Sequence, residues 1–169
     1  TCSRTGYTFL GWYTASSGGT KISSTTKITG TVTYYAQWSI NSYTLTYNVN
    51  GGNAVSPASK SVQYGSAYGT LPTPTKSSNA EYTYVFAGWY TAASGGTQVT
   101  ANTTMGASNT TIYAHWTATP RSYTATFNGN GGGTPSPSTI TKTYGSELGT
   151  LPTCSRTGYT FLGWYTASS

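Results

Sequence analysis

The chain of 169 residues carries eight Lys and Arg against two carboxylates, a net charge of +6; only 6% of it is charged, while 15% is aromatic. Catalysis normally needs a positioned acid, base or nucleophile with a supporting partner. With no Asp, two Glu, one His and two Cys, the chain offers neither such a partnership nor a metal cage of carboxylates or of clustered His and Cys, so neither an enzyme nor a cofactor protein is expected. The basic residues are spread too thinly for a nucleic-acid face, and no apolar run nears the roughly eighteen residues of a membrane span.

In chain order, the first element is Gly11-Trp-Tyr-Thr-Ala15 with Phe9 close by; it returns at Gly88 beside Phe86 and at Gly163 beside Phe161. Large rings in a small β module build core more readily than a sugar-stacking platform, which places Trp12, Trp89 and Trp164 inside. Next, Tyr34, Ala36 and Trp38 alternate along a strand, as do Ile112, Ala114 and Trp116 later, so these point inward and Tyr113 and His115 outward. Between them Tyr43, Leu45 and Tyr47 form one face of a strand and Thr44 and Thr46 the other. Asn50-Gly-Gly-Asn53 and Gly129-Asn-Gly-Gly-Gly133 are turn signals and not phosphate cradles, because no Gly-Lys-Ser/Thr follows either. No stretch holds apolar residues at helical spacing for three turns, and the expected fold is mainly β with little or no helix.

The chain also repeats itself. Thr153 to Ser169 copies Thr1 to Ser17 letter for letter, a period of 152 residues that reads as a window on a longer tandem array. Within it, Ser42-Tyr-Thr-Leu-Thr-Tyr-Asn48 and Tyr64-Gly-Ser66 recur 80 residues on, at Ser122 and Tyr144. Residues 42–121 are then one complete repeat, 1–41 the C-terminal half of one and 122–169 the N-terminal half of the next. A unit this small is marginally stable alone, and two Trp with several Tyr compensate. The links Ser39-Ile-Asn41 and Thr117-Ala-Thr-Pro-Arg121 are short, and the proline fixes φ, so semi-rigid joints are expected.

The succession Tyr-Thr-Leu/Ala-Thr-Tyr/Phe-Asn, Asn-Gly-Gly, Tyr-Gly-Ser, Leu-Pro-Thr, Gly158-Tyr-Thr-Phe-Leu-Gly-Trp-Tyr-Thr166 and Tyr35-Ala-Gln-Trp38 strongly resembles the Listeria-Bacteroides repeat, or internalin-type B repeat. That resemblance implies tandem small β-grasp-like modules on secreted or wall-attached cell-surface proteins, without catalytic residues. The departures are Cys2 and Cys154, where the complete repeat has Pro74, and the insertion from Lys76 to Tyr82.

Together these readings make the chain a structural segment of a long extracellular surface protein, an adhesin stalk or fibre. The alternative is a module that binds polysaccharide or a host protein through exposed aromatics such as Tyr35 and Tyr113. The expected core aromatics are Trp12, Trp38, Trp89, Trp116 and Trp164. Glu81, Glu147 and His115 read as surface substituents, because the sister repeat replaces or lacks each one. Cys2 and Cys154 are one array residue seen twice, too far apart to pair within the chain, which leaves a free or modified thiol or an inter-chain bridge. Asn102-Thr-Thr and Asn109-Thr-Thr are glycosylation triplets. Further copies of the repeat, in the same or neighbouring chains, are the expected partners; the excess of positive charge would favour an anionic cell-wall polymer or glycan as another.

Overall fold

The computed structural model describes residues 2–166; Thr1 of the expected first flank and 167–169 of the last lie outside the described residues. Among the described residues all of the regular structure is strand: β1 (Tyr7–Tyr13), β2 (Tyr35–Ile40), β3 (Ser42–Asn48), β4 (Ser59–Gln63), β5 (Tyr82–Tyr90), β6 (Gln98–Val99), β7 (Thr110–Pro120), β8 (Ser122–Thr126) and β9 (Thr139–Thr143). No helix among the described residues is long and apolar enough to cross a membrane. The chain divides into two compact units, Thr1–Lys76 with Phe86–Trp116, and Ser77–Val85 with Thr117–Ser169.

The first unit is built on a sheet of order β4-β3-β7-β5-β6. Its centre is the parallel pair β3 and β7, with Leu45 opposite Thr110 and Tyr47 opposite Ile112, and β4 and β6 close the edges antiparallel. The alternation in β3 and β7 selects the buried face: Leu45, Ile112 and Ala114 are fully buried and Tyr47 nearly so. Around them Val62, Tyr68, Trp89, Val99 and Met105 complete one core, with Phe86 and Trp116 packed against it. β1 and β2 form a second, antiparallel sheet in this unit, with a register shift between Phe9 and Gly11. Gly11 sits at φ 136°, and its counterparts Gly88 and Gly163 at 133° and 129°. The Gly of Gly-Trp-Tyr is thus set by a backbone twist that disfavours any side chain.

In the second unit β8 and β9 form a two-stranded sheet whose register matches that of β3 and β4: Ser122 lies opposite Thr143 as Ser42 lies opposite Gln63. Asn50 and Asn130 adopt positive φ in the equivalent turns, and Ser56-Pro57 and Ser136-Pro137 are both cis.

The sequence of Tyr7–Tyr13 recurs at 159–165, but the counterpart of its strand partner Tyr35–Ile40 would fall beyond residue 169. Tyr7–Tyr13 is a strand because β2 pairs with it. The same residues at 159–165 carry no strand, and only an isolated bridge joins Arg156 to Tyr159. Pairing, not propensity, decides the state of this segment.

Candidate functional site

The residues that link one repeat to the next are held by backbone hydrogen bonds, side-chain hydrogen bonds and ring contacts. The links expected at 39–41 and 117–121 are largely strand: β2 runs to Ile40 and β7 to Pro120, and a single residue separates each from the following repeat. At the first joint that residue is Asn41. Its N–H donates to Gly6 O at 2.9 Å and its carbonyl accepts from Tyr64 N–H at 2.9 Å. One peptide group is thus paired with the repeat before it and the next with the repeat after it. The Thr8 hydroxyl donates to Asn41 Oδ1 at 2.6 Å, the Tyr64 ring packs edge-on to Tyr7 at 6.1 Å, and the Arg4 guanidinium lies 3.8 Å over the Tyr7 ring. A Cβ on Gly6, at φ 77°, would run into the Tyr64 ring, so the joint needs glycine there.

The second joint repeats the pattern with different residues. Arg121 N–H donates to Glu81 O at 2.7 Å, and Arg121 O accepts from Tyr144 N–H at 2.8 Å. The link here is two residues longer than the first, and the extended start of β5 absorbs the difference. The insertion from Lys76 to Tyr82 ends in a turn in which Asn79 Oδ1 accepts from the amides of Glu81 and Tyr82 at 3.0 and 2.7 Å. That turn docks on the joint: Arg121 Nη1 donates to Asn79 O at 2.9 Å and Tyr123 Oη to Ala80 O at 2.8 Å. Tyr123 meets Tyr144 edge-on at 6.3 Å, and the Arg121 guanidinium lies 5.3 Å from the Tyr123 ring.

A second constellation locks the loop after Gly-Trp-Tyr. His115 Nε2 lies 2.9 Å from Ala92 O, and its ring stacks on Tyr90 at 3.9 Å and 10°. Gln37, its counterpart in the first repeat, donates from Nε2 to Ala15 O at 3.1 Å and to Gly18 O at 2.6 Å. Position 37/115 therefore anchors a loop, a role that the exchange of His for Gln concealed. Asn50 Nδ2 donates to Ala93 O at 2.9 Å and Ala114 O at 3.0 Å, tying the β3 turn to that loop and to β7. An open cleft of about 410 Å³ lies beside Asn50, Lys76, His115 and Trp116. The Asn50 amide and His115 Nε2 are engaged with backbone carbonyls, which favours a structural role for the cleft.

The structure places the tryptophans in three environments. Trp89 is 3% exposed, donates from Nε1 to Pro72 O at 2.8 Å, and meets Tyr47 and Phe86. Trp116 and Trp38 are half-buried against Phe86 and Phe9 respectively, and Trp164 is half-buried, bonded to Pro152 O at 2.8 Å and packed on Phe127 at 5.0 Å. Trp12 touches Phe9 but is 44% exposed, because its sheet has only two strands.

Cys2 and Cys154 are half-buried free thiols, and Cys154 donates to Gly133 O at 3.0 Å in the Gly-rich turn. Pro74, at the equivalent position, is buried. Asn102 and Asn109 are exposed, with Asn109 Oδ1 accepting from Thr44 N–H at 2.9 Å. Tyr35 is exposed and Tyr113 half-buried. Burial raises the Tyr47 pKa. Among the described residues no three His, Cys, Asp or Glu side chains gather as a metal site.

Comparison with known proteins gives this architecture its place. The Listeria-Bacteroides repeat domain model matches residues 1–37, 43–115 and 123–169, leaving out both joint residues, Asn41 and Arg121. The chain belongs to the Listeria-Bacteroides repeat domain family. It is similar to Internalin H of Listeria monocytogenes, with 40% identity over 75% of the chain and 23% of that protein. Two proteins of Evansella cellulosilytica are 33% and 32% identical over 95% of the chain, and their names read "Putative Gly-rich membrane protein" and "Putative membrane protein". The chain spans about a quarter or less of these relatives, at 23%, 18% and 24% of their lengths. No solved structure matches it. As a Listeria-Bacteroides repeat segment it is a mainly β chain, and the joints described above fall at the boundaries of the family's matches.

Proposed function

We propose that this segment is the mechanical body of a long extracellular protein on the cell surface or in the cell envelope, a stalk or fibre without enzymatic activity. The observation that carries the reading is the joint. At Asn41 and again at Arg121, one residue is hydrogen-bonded through its N–H to the repeat before and through its C=O to the repeat after. A flexible linker leaves its backbone to water; a joint tied on both sides resists bending between neighbours, and stability then spreads along the repeats. The names of the similar proteins, an internalin and two membrane proteins, support a surface location. The strand order β4-β3-β7-β5-β6, with the repeat's first and last strands parallel at the centre, supports reading the module as β-grasp-like.

The test sets the stalk against the binding module. The purified chain is applied to a glycan array and to anionic wall polymer at physiological salt. The stalk reading predicts no saturable signal; saturable binding removed by replacing Tyr35 with Ala would favour a polysaccharide-binding module instead.

A further inference from the structure

Residues 42–63, which form the β3–β4 hairpin, hold a single charged side chain, Lys60, and it stands on the edge strand of the sheet. An edge strand offers unpaired N–H and C=O groups to any strand of another chain. At the far end of the order β4-β3-β7-β5-β6, β6 is only two residues long and gives a partner little to pair with. β4 is five residues long. The bonds from Tyr47 N–H to Ala58 O and from Tyr64 N–H to Asn41 O flank it, so by alternation the amides of Ser59, Ser61 and Gln63 point away from β3. The side chains of these three are exposed and uncharged, and none of them turns an incoming strand away.

Lys60 lies on the other side of the strand, toward the core. Cross-strand partners share a face of the sheet; Lys60 is opposite Leu45 and Val62 opposite Tyr43, and both Leu45 and Val62 are buried. The Lys60 side chain is half-buried, and its ammonium donates to Thr70 O at 2.7 Å. The second repeat makes the same choice at a different position. Residues 122–143 also hold one charged side chain, Lys142, opposite Tyr123 on β9, while Ile140 stands opposite Ala125 where the first hairpin has Lys60. Lys60-Ser-Val62 has thus become Ile140-Thr-Lys142. A Cβ built on Gly69 would meet the Lys60 ammonium at 3.9 Å, and one on Gly149, 80 residues on, the Lys142 ammonium at 4.0 Å, so both lysines reach the same loop. The position has moved by two residues, and the charge on the core-facing side of the edge strand has stayed.

We propose that Lys60 and Lys142 guard the β4 and β9 edges against sideways pairing with a second copy of the chain. A strand laid along β4 would cover the core-facing side of Lys60 and strip water from its ammonium, which is costly without a paired charge. The β4 or β9 strand of a second copy brings another lysine to the same face, and like charges there repel. It brings no carboxylate, since Glu81 and Glu147 lie outside both strands. Without the lysines these hairpins are uncharged, rich in Thr and Tyr, and suited to pairing edge to edge. The guard concerns contacts between chains, whereas the stalk reading concerns joints within one chain, so the failure of either leaves the other standing.

The test is sedimentation velocity of the whole chain, kept reduced, over a range of concentrations. Lys60→Ile removes the guard with the residue that the second repeat holds at that place, and Lys27→Val removes the same charge from an exposed site outside the strands. Lys60→Ile should sediment heavier than the parent at equal concentration, approaching twice its mass, while Lys27→Val follows the parent. Adding Ser61→Pro to Lys60→Ile takes away an outward N–H, a change that edge strands tolerate, and should abolish the association. A further variant, Lys60→Ile with Val62→Lys, sets the charge where β9 has it and should sediment as the parent does. Thermal unfolding in dilute solution confirms that each variant is folded. Lys60→Ile no heavier than Lys27→Val overturns the guard, and so does an association that survives Ser61→Pro or the return of the charge at residue 62.

Discussion

The amide of Tyr64 donates to the carbonyl of Asn41 at 2.9 Å, and 80 residues on the amide of Tyr144 donates to the carbonyl of Arg121 at 2.8 Å. The donors are the same residue type in both repeats, whereas the acceptors carry unlike side chains, a neutral carboxamide on Asn41 and a cationic guanidinium on Arg121. The bond is made by backbone, and this is why two unlike joints reach one geometry.

Gly6 offers a test with a built-in control. Gly6 and Gly158 are the same residue of the repeated sequence, at φ 77° and 78°, but only Gly6 has a ring above it. Gly158→Ala should cost only the backbone strain of about 1 kcal/mol, whereas Gly6→Ala should cost about 2–3 kcal/mol because the Tyr64 ring must also move. Thermal unfolding of the two variants gives the comparison, and equal losses would mean that the Tyr64 contact contributes nothing to the joint.

Asn50 combines positive φ with two side-chain hydrogen bonds. Asn50→Ala should destabilise the complete repeat by about 2–3 kcal/mol, from one unmade part-buried bond to Ala114 O, one exposed bond to Ala93 O and a strained backbone. Asn50→Gly, which restores the conformational freedom but not the bonds, should recover about 1 kcal/mol of that loss. Chemical denaturation of the three proteins orders them, and an alanine variant as stable as the parent would mean that the Asn50 bonds contribute nothing to the fold.

His115 and Gln37 hold equivalent loops through equivalent carbonyls. His115→Gln should therefore change stability by no more than about 0.5 kcal/mol, while His115→Ala should lose about 1 kcal/mol as the Ala92 carbonyl gives up its partner and Tyr90 its stacked ring. Parallel melts of both variants decide between an anchor and a bystander.

Burial raises the Tyr47 pKa above its ordinary value of 10.0. Above about pH 10 the unfolded chain releases this proton more readily than the folded one, so the native state holds more protons and stability falls as pH rises. Below that pH the residue adds no slope. Tyr47→Phe should flatten the alkaline limb of a stability profile measured between roughly pH 9 and 11, and an unchanged limb would place the loss elsewhere.

Much of this architecture is legible from residue pattern. The alternation of Tyr43, Leu45 and Tyr47 gives β3 and its buried face, and Ile112 and Ala114 do the same for β7, because side-chain period and pleat are one geometric fact. Asn50-Gly marks a turn for equally local reasons. The joints are less legible. Residues 117–120 carry Thr, Ala and Pro, which read as a linker, yet they lie in β7, because the insertion before β5 lengthens its partner strand by the same two residues. The role of His115 was hidden because Gln and His share only a nitrogen able to reach a carbonyl. The second copy of Gly-Tyr-Thr-Phe-Leu-Gly-Trp-Tyr carries no strand because the counterpart of β2, with which the first copy pairs, falls beyond residue 169.

If the joints turn repeats into a stiff body, an array lengthens in proportion to its repeat number. The direct measurement is the maximum dimension, by small-angle X-ray scattering, of tandem arrays of increasing repeat number. A bead of this size has a diameter of roughly 30 Å, so each pair of repeats should add roughly 60–80 Å and length should grow in proportion to repeat number. Growth closer to the square root of repeat number, as a freely jointed string gives, would mean that the joints bend freely.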